Sequence, residues 1–160
     1  MGLLESVLND PATQQRVQDF IGRYERGAPA DGIGDQEALE HHQQLAAAAS
    51  PQEYQHAAQD AFARLGTEDR AQLGQQFQGA AASRGLNLQH LLGGSLGSLS
   101  EPGALAQVAG ALQRQQPGLL GELLGGGSPG GGSTLASPAV RAALGGIAAM
   151  LAKRALGSNR

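Results

Sequence analysis

At three places outside the glycine-rich run of this chain, a residue that favours the N-cap of a helix is followed directly by proline. The pairs are Asp10-Pro11, Ser50-Pro51 and Ser137-Pro138. Proline fits the first helical position because its missing N–H would have no partner there and its fixed φ suits a helix. Glu53 stands three residues after Ser50 and completes a capping box. The signals predict a succession of helices, and no alternating apolar run with β-branched residues predicts a strand.

Apolar residues recur at helical spacing between these signals. The pattern predicts helices over 11–26 and 35–48, a third from Pro51 that Gly66 closes as a C′ glycine, and a fourth capped by Thr67 that ends at Gly85. We therefore predict an all-α fold with a compact four-helix body over residues 3–92. The side chains predicted to point inward are Val17, Phe20, Ile21, Tyr24, Leu39, Leu45, Tyr54, Phe62, Leu65, Leu73 and Phe77.

Beyond residue 92 the helical pattern weakens and glycine becomes frequent. We predict an accessory helical segment over 100–124 with a cap at Ser100, a flexible linker over 125–137 that contains GGGSPGGG, and a C-terminal helix over 138–156. All five aromatic residues lie in the first half of the chain. Because large side chains dominate buried area, we expect the better core before residue 92 and little for the second half to pack around.

Composition and charge exclude several functional classes. The chain has no cysteine, so disulfides, thiolate metal sites and cysteine catalysis are excluded. It opens without the basic region of a secretory signal, and no apolar stretch approaches membrane-spanning length, so we expect a cytoplasmic protein. Residues 1–124 hold seven Arg against fourteen Asp and Glu, a charge of −7, whereas residues 125–160 hold four cations and no acid. The acidic body argues against nucleic-acid binding.

Two sets of glycines match catalytic or cofactor motifs by letter. Residues 93–97 and 126–130 both fit G-x-S-x-G, and glycines at 125, 127 and 130 fit the dinucleotide fingerprint. Both motifs need a preceding strand, which delivers the serine to a strained turn or the phosphate to a helix N-terminus. No strand precedes any of these sites. We expect no enzymatic activity, no catalytic residue and no cofactor.

Carboxylates and histidines on two predicted helices form a candidate metal set. Glu37 and His41 are four residues apart on the second helix, and Glu53 and His56 form Glu-x-x-His on the third. Bundles that hold two metal ions use two Glu-x-x-His pairs with further glutamates, and this chain offers one pair. The alternative for these residues is a solvated polar face. His42 lies toward the apolar side of its helix, where a hydrogen-bonded core histidine is expected.

The C-terminal helix is the candidate interaction element. Leu144, Ile147 and Leu151 form an apolar ridge, and a stripe of small residues that includes Gly146 would let another helix approach closely. The ridge is too apolar for an isolated helix in water. We therefore expect residues 138–156 to dock on the chain's own body or on a sister chain. A non-catalytic interaction or self-assembly protein is the expected function, with a peripheral membrane protein or a metal-binding helical protein as alternatives.

Short leucine and glycine runs carry a resemblance to known proteins. The opening Met-Gly-Leu-Leu, and Leu-Leu-Gly-Gly at 91–94 and 123–126, resemble small bacterial proteins of the YidB-like kind. The resemblance implies a helical bacterial protein and transfers no functional residue.

Overall fold

The computed structural model describes residues 6, 9–26, 34–83, 85–91, 99–115 and 138–158. Within these ranges the fold is all-α, as predicted, with no strand and seven helices. In chain order the helices are α1 (Pro11–Arg26), α2 (Asp35–Ala48), α3 (Pro51–Ala63), α4 (Thr67–Ser83), α5 (Leu88–Leu91), α6 (Pro102–Gln115) and α7 (Pro138–Ser158). The predicted linker over 125–137, the helical turns after residue 115 and both G-x-S-x-G sites lie outside the described residues.

Side-chain caps define the start of α3 as the sequence predicts. Ser50 Oγ accepts a hydrogen bond from the Glu53 N–H, and the Glu53 carboxylate accepts one from the Ser50 N–H. Pro51 occupies the first helical position. The reciprocal bonds satisfy two N–H groups that have no partner inside the helix. The backbone bonds in the capping box hold the pKa of Glu53 below its ordinary value.

The two glycines predicted to end α3 and α4, Gly66 and Gly85, have different roles. Gly85 follows α4 with a φ of +68°, and the Leu86 N–H donates to the Ala81 carbonyl, which is the bond of a Schellman motif. The prediction for Gly66 is wrong in detail, because Gly66 does not have a positive φ. Its carbonyl accepts the Arg70 N–H, so Gly66 is the N-cap of α4 and Thr67 is the first helical residue.

One hydrophobic core contains residues from all seven helices. Of the predicted inward set, Ile21 and Leu39 are partly buried against this core, and the other nine are buried. Leu105 and Leu112 of α6, and Leu144, Ile147 and Leu151 of α7, are among the largest side chains that are fully buried. The expectation that the second half has little to pack around is therefore wrong. Alanine and glycine bring the backbones of α6 and α7 close to their neighbours, so these helices need no aromatic residue to join the core.

The helices that pack most closely are not pairs within α1–α4, as a body formed by these four helices alone would require. Among the described residues the closest backbone packing joins α3 to α6, α3 to α7 and α2 to α7, and α7 also packs against α1 and α4. Helices α1 to α4 meet one another mainly through long side chains, such as the Phe62 and Phe77 rings at 6.4 Å between centroids. Helices α1–α5 therefore share their core with α6 and α7, and α7 is the central helix.

Candidate functional site

The central helix α7 is buried on every face along its middle. Every residue from 142 to 152 is buried, and the surrounding helices are α1, α2, α3 and α4. A helix that is apolar all round is expected inside a core rather than on a surface. We call the surface of α1–α4 that receives this helix the α7 groove. The sequence pattern predicted one apolar ridge, whereas the structure buries all sides of the helix.

The predicted ridge lies inside the protein's own fold. Leu144, Ile147 and Leu151 are 0%, 2% and 0% exposed, respectively. The structure thus places the interaction residues of the sequence analysis in contacts with the same chain. They would become available to another molecule only if α7 left its groove.

A glycine in α7 makes the tightest approach to the groove. A Cβ placed on Gly146 would lie 2.9 Å from Tyr24 Oη and 3.0 Å from Ala61 Cβ. Real Cβ atoms essentially never come closer than 3.0 Å to another heavy atom. The Tyr24 hydroxyl is buried and has no hydrogen-bond partner among the described residues. Burial also raises the pKa of Tyr24.

Two ion pairs join the last turns of α7 to the ends of α1 and α3. Lys153 Nζ lies 2.6 Å from Glu25 Oε1, and Arg154 donates to Asp60 Oδ2 at 2.8 Å. The hydrogen bond from Lys153 holds the pKa of Glu25 below its ordinary value. All four side chains are about half-exposed. Residues 1–124 carry the excess of acidic residues and residues 125–160 only cations, and these two pairs join the two parts at specific partners.

The residues of the metal hypothesis are not gathered into one site. Glu37 forms a two-pronged ion pair with Arg23 of α1, and His41 Nε2 lies 4.0 Å from Glu37. Glu53 closes the capping box of α3, and the side chain of His56 is exposed. In the described ranges no three His, Cys, Asp or Glu side chains are grouped to hold a metal ion. The hydrogen bond from Arg23 holds the pKa of Glu37 below its ordinary value, as a structural ion pair would.

His42 and Tyr54 form a buried polar pair between α2 and α3. His42 is 2% exposed, and its Nε2 lies 2.9 Å from Tyr54 Oη. This confirms the expectation of a hydrogen-bonded core histidine. Burial lowers the pKa of His42 to about 4 and raises the pKa of Tyr54. His42 Nδ1 is buried without a hydrogen-bond partner in the part of the chain that the structure describes, so a proton there would be poorly solvated.

Comparisons with known proteins add no assignment. Comparison with protein-family models, with curated proteins and with solved structures found no match to this chain. Among the described helices, none combines the length and apolar character needed to cross a membrane.

Proposed function

We propose that the protein is a non-catalytic self-assembly protein that exchanges α7 between copies of the chain. The observation that carries the proposal is the position of α7, which is buried along residues 142–152 yet is reached only through residues 116–137. Such a helix makes the same contacts whether its groove belongs to its own chain or to another. Exchange of an identical element is a low-cost route to a dimer.

The covalent connection permits the exchange. Residues 116–137 extend to roughly 70 Å at most, at about 3.3 Å per residue. That reach exceeds the length of α7 itself, which is about 30 Å at 1.5 Å per residue. A tethered helix meets its own groove at an effective concentration on the order of millimolar. The closed monomer should therefore dominate in dilute solution, and the exchanged assembly should grow as the protein concentration approaches that range.

Reversing the charges at the ion pairs tests the exchange. One full-length variant carries Glu25→Lys and Asp60→Arg in the groove, and the other carries Lys153→Glu and Arg154→Glu on α7. Each variant alone places like charges together in both its closed and its self-exchanged forms. In a mixed exchanged dimer one groove has the native charges and the other has the fully reversed charges, so both are attractive.

We expect the two variants, refolded together at high concentration, to form the mixed dimer roughly tenfold in excess over either homodimer. Size-exclusion chromatography with light scattering and mass spectrometry measures the species. Salt screens exposed ion pairs, so the preference should disappear at about 1 M salt, where the Debye length is roughly 3 Å. A mixture that stays monomeric up to millimolar concentration would contradict the proposal.

The membrane alternative makes a different prediction for the same helix. Residues 142–152 carry no charge, and Arg141, Lys153 and Arg154 flank them. A released α7 with this sequence would meet an anionic lipid surface through both its apolar side chains and its cations. Flotation with vesicles of anionic lipid would favour this alternative if the protein bound the vesicles and the mixed dimer did not form.

A further inference from the structure

The α7 groove leaves little space at one residue of α7, Gly146, where α1, α3 and α7 meet. Gly146 faces Tyr24 of α1 and Ala61 of α3, and a Cβ at position 146 would force the Tyr24 hydroxyl to shift and would press tightly against Ala61 Cβ. The unpartnered Tyr24 hydroxyl is buried and points at the same place. The contact therefore favours glycine, and a larger residue at this position requires Tyr24 and Ala61 to move.

The groove also presents two carboxylates at a fixed distance from Gly146. Lys153 and Arg154 stand seven and eight positions after Gly146, and they pair with Glu25 and Asp60. Each carboxylate is the immediate chain neighbour of a residue that faces the glycine, because Glu25 follows Tyr24 and Asp60 precedes Ala61. Helices α1 and α3 thus each present one steric contact and one carboxylate to the same helix.

We propose that this combination makes the α7 groove specific for a helix with glycine followed at positions +7 and +8 by Lys-Arg, and hence for α7 of a second copy in the native register. The inference rests on the proposed exchange, and it identifies the glycine contact and the two ion pairs as the features that select the helix. Foreign apolar helices would fail at the glycine contact, at the carboxylates, or at both.

Other registers of α7 in the groove would lose the glycine contact, the ion pairs, or both. A slip of one turn, about 5.4 Å, would bring Ala142 or Met150 against Tyr24, and both carry a Cβ. Placing Gly157 at the contact would move the helix by about 16 Å, at 1.5 Å per residue, and would carry Lys153 and Arg154 past their carboxylates. The native register is the one that satisfies both conditions.

Enlarging the helix and hollowing the groove test this specificity. Gly146→Ala adds the colliding methyl group, and Tyr24→Phe with Ala61→Gly removes the two atoms that it would meet. Gly157→Ala is the matched control, because it makes the same change in the same helix at a position where the added Cβ would meet no other part of the chain within 4 Å. Every variant is made in the full chain, and denaturant titration gives its folding equilibrium constant.

We expect Gly146→Ala to lower the folding equilibrium constant roughly tenfold relative to Gly157→Ala in the native groove. In the hollowed groove the two substitutions should have equal effects. Mixing Gly146→Ala chains with hollowed-groove chains should give mixed exchanged dimers roughly tenfold in excess over homodimers of the Gly146→Ala chain.

The outcomes separate this inference from the proposed function. If Gly146→Ala is as harmless as Gly157→Ala, or is equally harmful in both grooves, the steric specificity is overturned. If the two changes compensate within one chain but no mixed dimer forms at any concentration, the exchange fails while the groove's selection of the α7 register holds. If α7 with Gly146→Ala exchanges equally well into native and hollowed grooves, the inference is overturned and the proposed function stands.

Discussion

A chain that ends at residue 124 should lose cooperative unfolding. The truncation keeps α1 to α6 and removes α7, on which α1, α2 and α3 all pack. Leu144, Ile147 and Leu151 are each fully or nearly fully buried. Truncating one such side chain costs about 2–5 kcal/mol, and a domain of this kind has a total stability of about 5–15 kcal/mol. Removing all three together with their helix should therefore cost about as much as the whole stability of the fold.

Circular dichroism during a urea titration measures this effect. A chain that ends at residue 158 keeps α7 and is the control, and it should unfold like the full-length protein. If the 1–124 chain unfolds with the same midpoint and slope as the control, then α1–α6 form a core of their own and the central position of α7 is wrong. Adding a peptide of residues 138–158 to the 1–124 chain should restore the cooperative transition, because the groove would regain its helix.

Acidification should destabilise the protein by about 3 kcal/mol between pH 6.5 and pH 4. The cause is His42, whose pKa is lowered by burial to about 4 from its ordinary value of 6.5. Within this window the unfolded chain binds a proton at His42 and the folded protein does not. The unfolded state therefore binds more protons, and the free energy of unfolding falls as the pH falls. His41, which is largely buried, has its pKa lowered mainly by burial and acts in the same direction.

Denaturant titrations at several pH values measure the loss of stability. His42→Gln keeps a polar side chain opposite Tyr54 but does not titrate, so its stability should change much less over the same range. His56→Gln is the matched control, because it makes the same substitution at an exposed histidine of α3. Equal pH dependence in His42→Gln and the unmodified protein would show that His42 is not the group responsible.

Local sequence signals predict much of the secondary structure. The bounds of α1 and α2 follow from Asp10-Pro11 and from the glycines around residue 34, and Ser50 to Glu53 predicts the start of α3. Gly85 predicts the end of α4, because a left-handed residue is needed there and glycine adopts it at little cost. These signals act within a few residues, so they can be read without knowledge of the tertiary contacts.

The central position of α7 depends on contacts that local signals do not contain. Its middle consists largely of alanine, glycine and leucine, and such a pattern is compatible with a surface ridge or with full burial. The partners of Gly146, Lys153 and Arg154 lie about 90 to 130 positions earlier in the chain. A small residue reveals its role only when the atoms opposite are known. The charge imbalance between the two parts of the sequence was the one signal that pointed to the ion pairs.

Cross-linking between differently marked chains tests the exchange of α7 most directly. The chain has no cysteine, so Glu25→Cys in one full-length population and Lys153→Cys in a second, mass-labelled population give single attachment points. The two are mixed, refolded at about millimolar concentration and treated with a short bis-maleimide. Gln107→Cys, on an exposed position of α6, replaces Glu25→Cys in the control mixture. We predict a covalent dimer of one chain from each population, well above the control. Equal yields in the two mixtures would contradict the exchange of α7 between copies.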